Sequence, residues 1–393
     1  MLNHHSLSLY NVYKEKYLIN IIMSSCKYIE LHLHLDGAVR VSTLYKISQK
    51  KNNTDISINE FTKLVSIGNK KCFDSLTECL STFGHILSLI AGNKQYLEQI
   101  AYEICEDQYN NDVLYTEIRY NPHILMGDIL SLDEVIVSIN NGIKRAILKY
   151  PIFVNTILCC LRSKPQWSFD IAKLCIKYRN QGVVGMDIAG DEKNYSDYNH
   201  RNAFKLAHNN NINITAHAGE AGGPENIKSA ISNLHATRIG HGYSCCYDNY
   251  LMGYLKRKNI HLECCITSSI QTKSVENINN HPIKIFNKKN LNYSINTDDP
   301  SIFNTTYKQE IDLVKEKMEL NNNQIHKIME NSLASSFASR KEKVKIKNQL
   351  NHNWLNYSIN IDDSSIFNTT YKQEIDLVFC FSKREGKNQK LQN

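Results

Sequence analysis

Two histidines one residue apart, His32 and His34, close the run Glu30-Leu31-His32-Leu33-His34. Residues two apart on a strand point to the same side, so both imidazoles can face one metal ion. Neutral imidazole is a good zinc ligand. Two exposed or hydrogen-bonded histidines satisfy the same spacing. Thr215-Ala216-His217-Ala218-Gly219-Glu220 offers a third imidazole. The small residues after His217 permit a tight turn, which brings Glu220 near such a metal without binding it. A carboxyl group in a partly dry pocket keeps its proton and can donate it. A core histidine followed by a surface glutamate reads the same way. His241, between Gly240 and Gly242, suits a base or an electrostatic partner for an activated water, or an ordinary turn. Asn296-Thr297-Asp298-Asp299-Pro300 carries two adjacent acids. One can ligate a metal while the other contacts substrate, although a solvated turn uses the same residues.

These groups need a scaffold that brings distant segments to one place. Short β-branched-rich runs alternate with helical stretches from Tyr28 onward. The expected strands are 28–34, 113–120, 152–159, 183–188, 212–217, 236–240, 259–264 and 292–297. Helical character fills 95–109, 135–150, 169–178 and 227–234. Alternation of this kind implies a parallel sheet. Eight such units predict a single (β/α)8 TIM barrel of the α/β class, whose active site lies at the C-terminal strand ends. An open doubly wound sheet is the other arrangement, but no Gly-x-Gly-x-x-Gly fingerprint follows any strand. The candidate groups fall at the ends of expected strands one, five, six and eight. Their joint placement predicts a mononuclear metal site with open coordination, which generates hydroxide from water near neutral pH. The stretch 43–93 is too long for a simple crossover and predicts extra helices over the barrel mouth. There Leu76, Leu80 and Phe83 share a helical face, as a lid or as ordinary packing.

Composition narrows the rest. Of 393 residues, 42% are apolar and 22% charged, with a formal net charge of +7. The lysines are scattered, and no basic groove or aromatic stacking motif points to nucleic acid. No stretch approaches the length of a membrane span. The short apolar run 17–23 lacks a clear cleavage site for a signal peptide. The 12 cysteines include the vicinal pairs Cys159-Cys160, Cys245-Cys246 and Cys264-Cys265, and no Cys-x-x-Cys. They read as buried, reduced thiols of a cytoplasmic protein.

With those residues placed, the chain resembles the adenosine deaminase family of the amidohydrolase superfamily. The resemblance rests on His32-x-His34, HAGE (217–220), GHG (240–242) and TDDP (297–300), and on the longer runs IELHLHLDGAVR (29–40), ILCCLRSKPQWS (157–168) and MDIAGDE (186–192). These longer runs match the animal-type enzymes, and the match covers 28–349. The resemblance implies that His32, His34, His217 and Asp298 hold one zinc ion, and that water so activated attacks C6 of adenosine or 2′-deoxyadenosine. The tetrahedral intermediate then loses ammonia to give inosine or 2′-deoxyinosine. It further implies that Glu220 protonates N1, that His241 orients the water, and that Asp299 and the Gly190 backbone contact N7 and N3. Asp36 would bind the ribose 5′-hydroxyl, while Leu76, Leu80 and Phe83 would form an apolar lid. A monomer acting on a small purine nucleoside, with no nucleic-acid or membrane partner, is the expected state. Related deaminases acting on AMP, adenine or methylthioadenosine, and a non-catalytic nucleoside-binding relative, remain the alternatives. The chain departs from the family where Ile266 stands in place of the usual proline.

Residues 1–27 read as a disordered extension, with Met23 as a second candidate start. Beyond the barrel (28–349), the tail 350–393 carries a near-copy, in which 355–378 repeats 291–314 with Thr297 replaced by Ile361 and Pro300 by Ser364. The copied acids Asp362-Asp363 come without copied histidines, so the tail is expected to bind no zinc and to be non-catalytic.

Overall fold

The computed structural model describes residues 27–52, 56–67, 72–73 and 76–362, with the backbone alone for 52, 76–77 and 354–362. The expected N-terminal extension up to residue 26, and the tail from Asp363 onward, lie outside the described residues.

Eight strands run in sequence order: β1 (Tyr28–His34), β2 (Val113–Tyr120), β3 (Phe153–Leu161), β4 (Val183–Ala189), β5 (Asn213–Ala218), β6 (Arg238–His241), β7 (His261–Cys265) and β8 (Tyr293–Asn296). Every boundary lies within two residues of the sequence expectation. Each strand pairs in parallel with the next, so the order is β1 to β8 without a crossing. The ring closes between β8 and β1. The Asp298 N–H donates to His32 O at 3.0 Å, and the His34 N–H donates to Asp298 O at 2.9 Å. Asn296 Oδ1 accepts the Leu31 N–H at 2.9 Å. Closure excludes the doubly wound alternative and makes the chain a (β/α)8 barrel.

Strands buried on both faces explain the near-continuous apolar runs. All eight residues of β2 are buried, including Glu117 and Arg119. Helix starts are written locally. Ser131 and Glu134 form a reciprocal capping box at the helix Leu132–Ile147, and the Asn93 side chain caps Lys94–Asn110. Among the described residues, three helices occupy the long segment after β1: α1 (Val41–Asn52), α2 (Ile58–Val65) and α3 (Leu76–Ile90). They pack on one another, and α3 also contacts the turn Asp36–Ala38 at the end of β1, over the mouth. The C-terminal helix Arg340–Asp362 crosses the expected 349/350 boundary, with Leu350 wholly buried. Among the described residues, no helix is long and apolar enough to cross a membrane.

Candidate active site

A cavity of about 320 Å³ opens at the C-terminal strand ends, a size suited to a small molecule. His34 and Asp36 reach it from β1, Gly190 from β4, and His217 and Glu220 from β5. His241 reaches it from β6, and Asp298 and Asp299 from β8. Leu80 and Phe83 line its outer wall, joined by Leu87, which the sequence did not single out. The side chain of Leu76 lies outside the described residues. His32 is sealed behind this wall with no solvent exposure.

Five possible donors converge. One ligand atom each from His32, His217, His241 and Asp298 lies within 4.8 Å of the other three. His34 adjoins them, with Nε2 3.1 Å from His217 Nε2 and 3.4 Å from Asp298 Oδ1. The strand ends dictate this convergence. β1 projects both histidines at i and i+2, and the closure bonds to β1 carry Asp298 beside them. His241 and Asp298 both adopt left-handed backbone, each with φ of 65°. Such conformations cost free energy in non-glycine residues and concentrate at functional sites.

The donor set fits a metal ion. His32 Nε2 and His241 Nδ1 are buried and lack hydrogen-bond partners among the described residues. Burial holds His34, His217 and His241 below the usual histidine range, so their ring nitrogens stay available as neutral ligands. Burial opposes ionisation of Asp298, but the neighbouring His32, His241 and His34 outweigh it and hold the carboxyl well below its ordinary range. Two of the imidazoles are oriented from behind. His32 Nδ1 meets Glu263 Oε2 at 2.8 Å, and His217 Nδ1 meets Asp187 Oδ2 at 3.1 Å. Ser268 donates its hydroxyl to Asp298 Oδ2 at 2.7 Å.

Acids on the cavity wall behave oppositely. Burial, then the charges of Asp298 and Glu192, push the Glu220 carboxyl well above its ordinary range. Its Oε2 stands 3.6 Å from His241 Nε2. Burial and the adjacent Asp298 raise Asp299 likewise. Burial moves Asp36 up to about 6. Glu220 rides on a turn built by Glu192, whose carboxylate accepts the N–H groups of Gly219 at 3.0 Å and Gly222 at 2.7 Å. Asp299 packs so closely on Gly37 that a Cβ there would lie 1.8 Å from Asp299 Oδ1. Ile266 begins the helix Ile266–Gln271, a position where proline also fits, which explains how the substitution is accommodated.

The structure thus brings together every expected site residue whose side chain is described. Sequence reasoning missed the residues beneath the donors: Arg119, Asp187 and Glu263, together with Arg238 and Glu117. The available signal was charge inside strands that otherwise read as buried. The ten described cysteines are all unpaired.

Comparison with known proteins agrees with this geometry. The family model described as Adenosine deaminase matches residues 28–353. Adenosine deaminase of Danio rerio is 37% identical over 82% of this chain and 94% of its own length. That of Gallus gallus is 37% identical over the same shares. Among solved structures, the Arabidopsis N6-mAMP deaminase superposes with a TM-score of 0.74 at 25% identity, covering 84% of this chain and 98% of its own.

Proposed function

This chain belongs to the adenosine deaminase family, and from that premise we propose how it converts adenosine and water to inosine and ammonia. His32, His34, His217 and Asp298 would hold one Zn²⁺ per chain, since imidazole nitrogen and carboxylate oxygen are both zinc ligands. When bound, the ion supplies the Lewis acidity that makes water nucleophilic near neutral pH. The chain's own residues do the rest. Glu220, whose carboxyl burial holds well above its ordinary range, gives its proton to N1 of the purine, which lowers the ring's resistance to attack at C6. His241, neutral and 3.9 Å from Asp298 Oδ2, orients the attacking water between that carboxylate and Glu220. Asp299, raised likewise by burial and the adjacent Asp298, would donate to N7, and the Gly190 backbone would contact N3. Leu80 and Phe83 exclude bulk water from the bound base.

Asp36 favours a nucleoside over a nucleotide. Its buried carboxyl at the cavity wall suits a 5′-hydroxyl, whereas a 5′-phosphate there would face an acid, with no lysine or arginine among the described lining residues to offset it. We extend the reading to 2′-deoxyadenosine and to a monomer; the unpaired thiols of the described residues suit a cytoplasmic location. The repeated segment 355–378, which contains no histidine, is assigned no part in metal binding.

The observation that carries the reading is the buried Glu220 carboxyl set 3.6 Å from His241, beside the donor cluster. The test is ultraviolet absorbance of zinc-quantified protein with adenosine, and with AMP and adenine in parallel. An adenosine-to-inosine shift that is removed by chelator supports it. Glu220→Gln should retain zinc and lose at least about 100-fold in kcat. Near-normal turnover in that variant removes Glu220 as the proton donor.

A further inference from the structure

Beneath the donor cluster, Arg119 of β2 is wholly buried inside the barrel. Its Nη1 donates to Asp187 Oδ2 at 2.9 Å and its Nη2 to Glu263 Oε2 at 2.7 Å. The same two carboxylate oxygens stand 3.1 Å from His217 Nδ1 and 2.8 Å from His32 Nδ1. Nη2 also donates to the β1 carbonyl of Leu31 at 2.6 Å. We propose that Arg119 is a positioning residue for the metal, one guanidinium setting two carboxylates that aim His32 and His217 from behind.

The chemistry requires arginine. A planar guanidinium presents donors at fixed angles and can serve two carboxylates on separate strands, here on β4 and β7. An ammonium is a point charge on a flexible stem and cannot reproduce the span. Removing the cation would leave Asp187 and Glu263 as buried charges without part of their compensation, free to rotate or take up protons. Either change releases the Nδ1 hydrogen bond that fixes which nitrogen of each imidazole faces the donor cluster.

The two branches are unequal. Glu263 is also held by Arg238 Nε at 2.6 Å and Thr215 Oγ1 at 2.8 Å. Asp187 is held otherwise by the Ile188 N–H at 2.7 Å and by the Cys159 thiol, which are neutral donors. The Asp187–His217 branch therefore depends more on Arg119 than the Glu263–His32 branch does.

The inference rests on the assignment of His32 and His217 as metal ligands, and the experiment separates the two. Zinc affinity is measured by chelator competition in the full chain, in Arg119→Lys, in Asp187→Asn and in the double variant. Cobalt-substituted protein gives a visible spectrum that reports ligand geometry. Each single variant should weaken zinc binding 10–100-fold and alter the cobalt spectrum. The double variant should be no weaker than the worse single one, because both changes cut the same branch. In zinc-saturated Arg119→Lys, kcat should fall while KM for adenosine holds. Absence of zinc from the unmodified chain would overturn the ligand assignment itself. Normal zinc loading there, with unchanged affinity and spectrum in Arg119→Lys, would overturn the Arg119 proposal alone, as would additive losses in the double variant. If Arg119→Lys does not fold, Asp187→Asn carries the decision: the same weakening supports the proposal, and unchanged affinity and spectrum overturn it.

Discussion

At the scale of single residues, the site is decided by a few close approaches. Gly37 is the sharpest, because the space a Cβ would need is already filled by the Asp299 carboxyl at 1.8 Å. Gly37→Ala must push Asp299 aside or open the turn after β1. We expect kcat/KM to fall on the order of 100-fold, the usual cost of misplacing a contact by about 1 Å. Steady-state kinetics on the folded variant check this, and unchanged values would show that Asp299 can move freely. Residues of this kind were legible in the sequence because the motifs end strands. His32, His34, His217, His241 and Asp298 each sit where a barrel strand stops, so the chemistry could be read from order and spacing. Arg119, Asp187 and Glu263 were not legible. Their partners are separated by up to 231 residues, and a charged side chain in a buried-reading strand does not say which other charge it meets.

At the scale of elements, alternation of β-branched runs with helical stretches was enough to place all eight strands, because a parallel barrel buries both faces of each. The repeat shows where such reading stops. Leu291–Asn296 and Leu355–Asn360 share the sequence LNYSIN. The first supplies β8, paired to β7, while the second continues the helix Arg340–Asp362. Strand preference depends on a neighbouring strand, and the second copy follows directly from a helix already formed. The mouth helices were expected, but which of their side chains face the cavity depends on tertiary packing. Phe83 and Leu80 of α3 do so. Phe83→Ala should raise KM for adenosine about tenfold, from roughly 1.4 kcal/mol of lost apolar contact, with zinc content unchanged. A KM within twofold of the parent would assign Phe83 to packing of the mouth helices.

At the scale of the whole molecule, two consequences follow from what the barrel buries. The C-terminal helix contributes Ile346 and Leu350, neither with any solvent exposure, and Asn353 is also buried. A chain ending after Asn353 should keep its zinc and activity. One ending after Gln349 loses Leu350 and should be about 2–5 kcal/mol less stable, read from urea midpoints. Equal midpoints would place the stabilising boundary earlier in the helix. The second consequence concerns acid. His261 and His281 are buried away from the donor cluster, and burial lowers them to about 4 and about 3. Burial outweighs the hydrogen bond from His261 to Asn292, which by itself favours the charged ring. Asn292 donates its amide to Ser335 Oγ and Asn259 Oδ1, leaving its Oδ1 to accept from His261 Nδ1 at 2.7 Å. The Ile283 N–H donates to His281 Nδ1 at 3.2 Å, so a proton on that nitrogen would oppose another. The unfolded chain takes up these protons near pH 6.5, and the folded chain only below about 4. The unfolded state therefore binds more protons in that window, and stability falls as pH drops from about 6.5 towards 4. The two residues would each account for ~3 kcal/mol at the acid end. Urea unfolding of metal-stripped protein at pH 7 and pH 5 tests this without a contribution from metal release. The midpoint should be lower at pH 5, and the difference should shrink in His261→Gln and in His281→Gln. An equal difference in both variants would move the acid sensitivity to the carboxylates of the donor cluster.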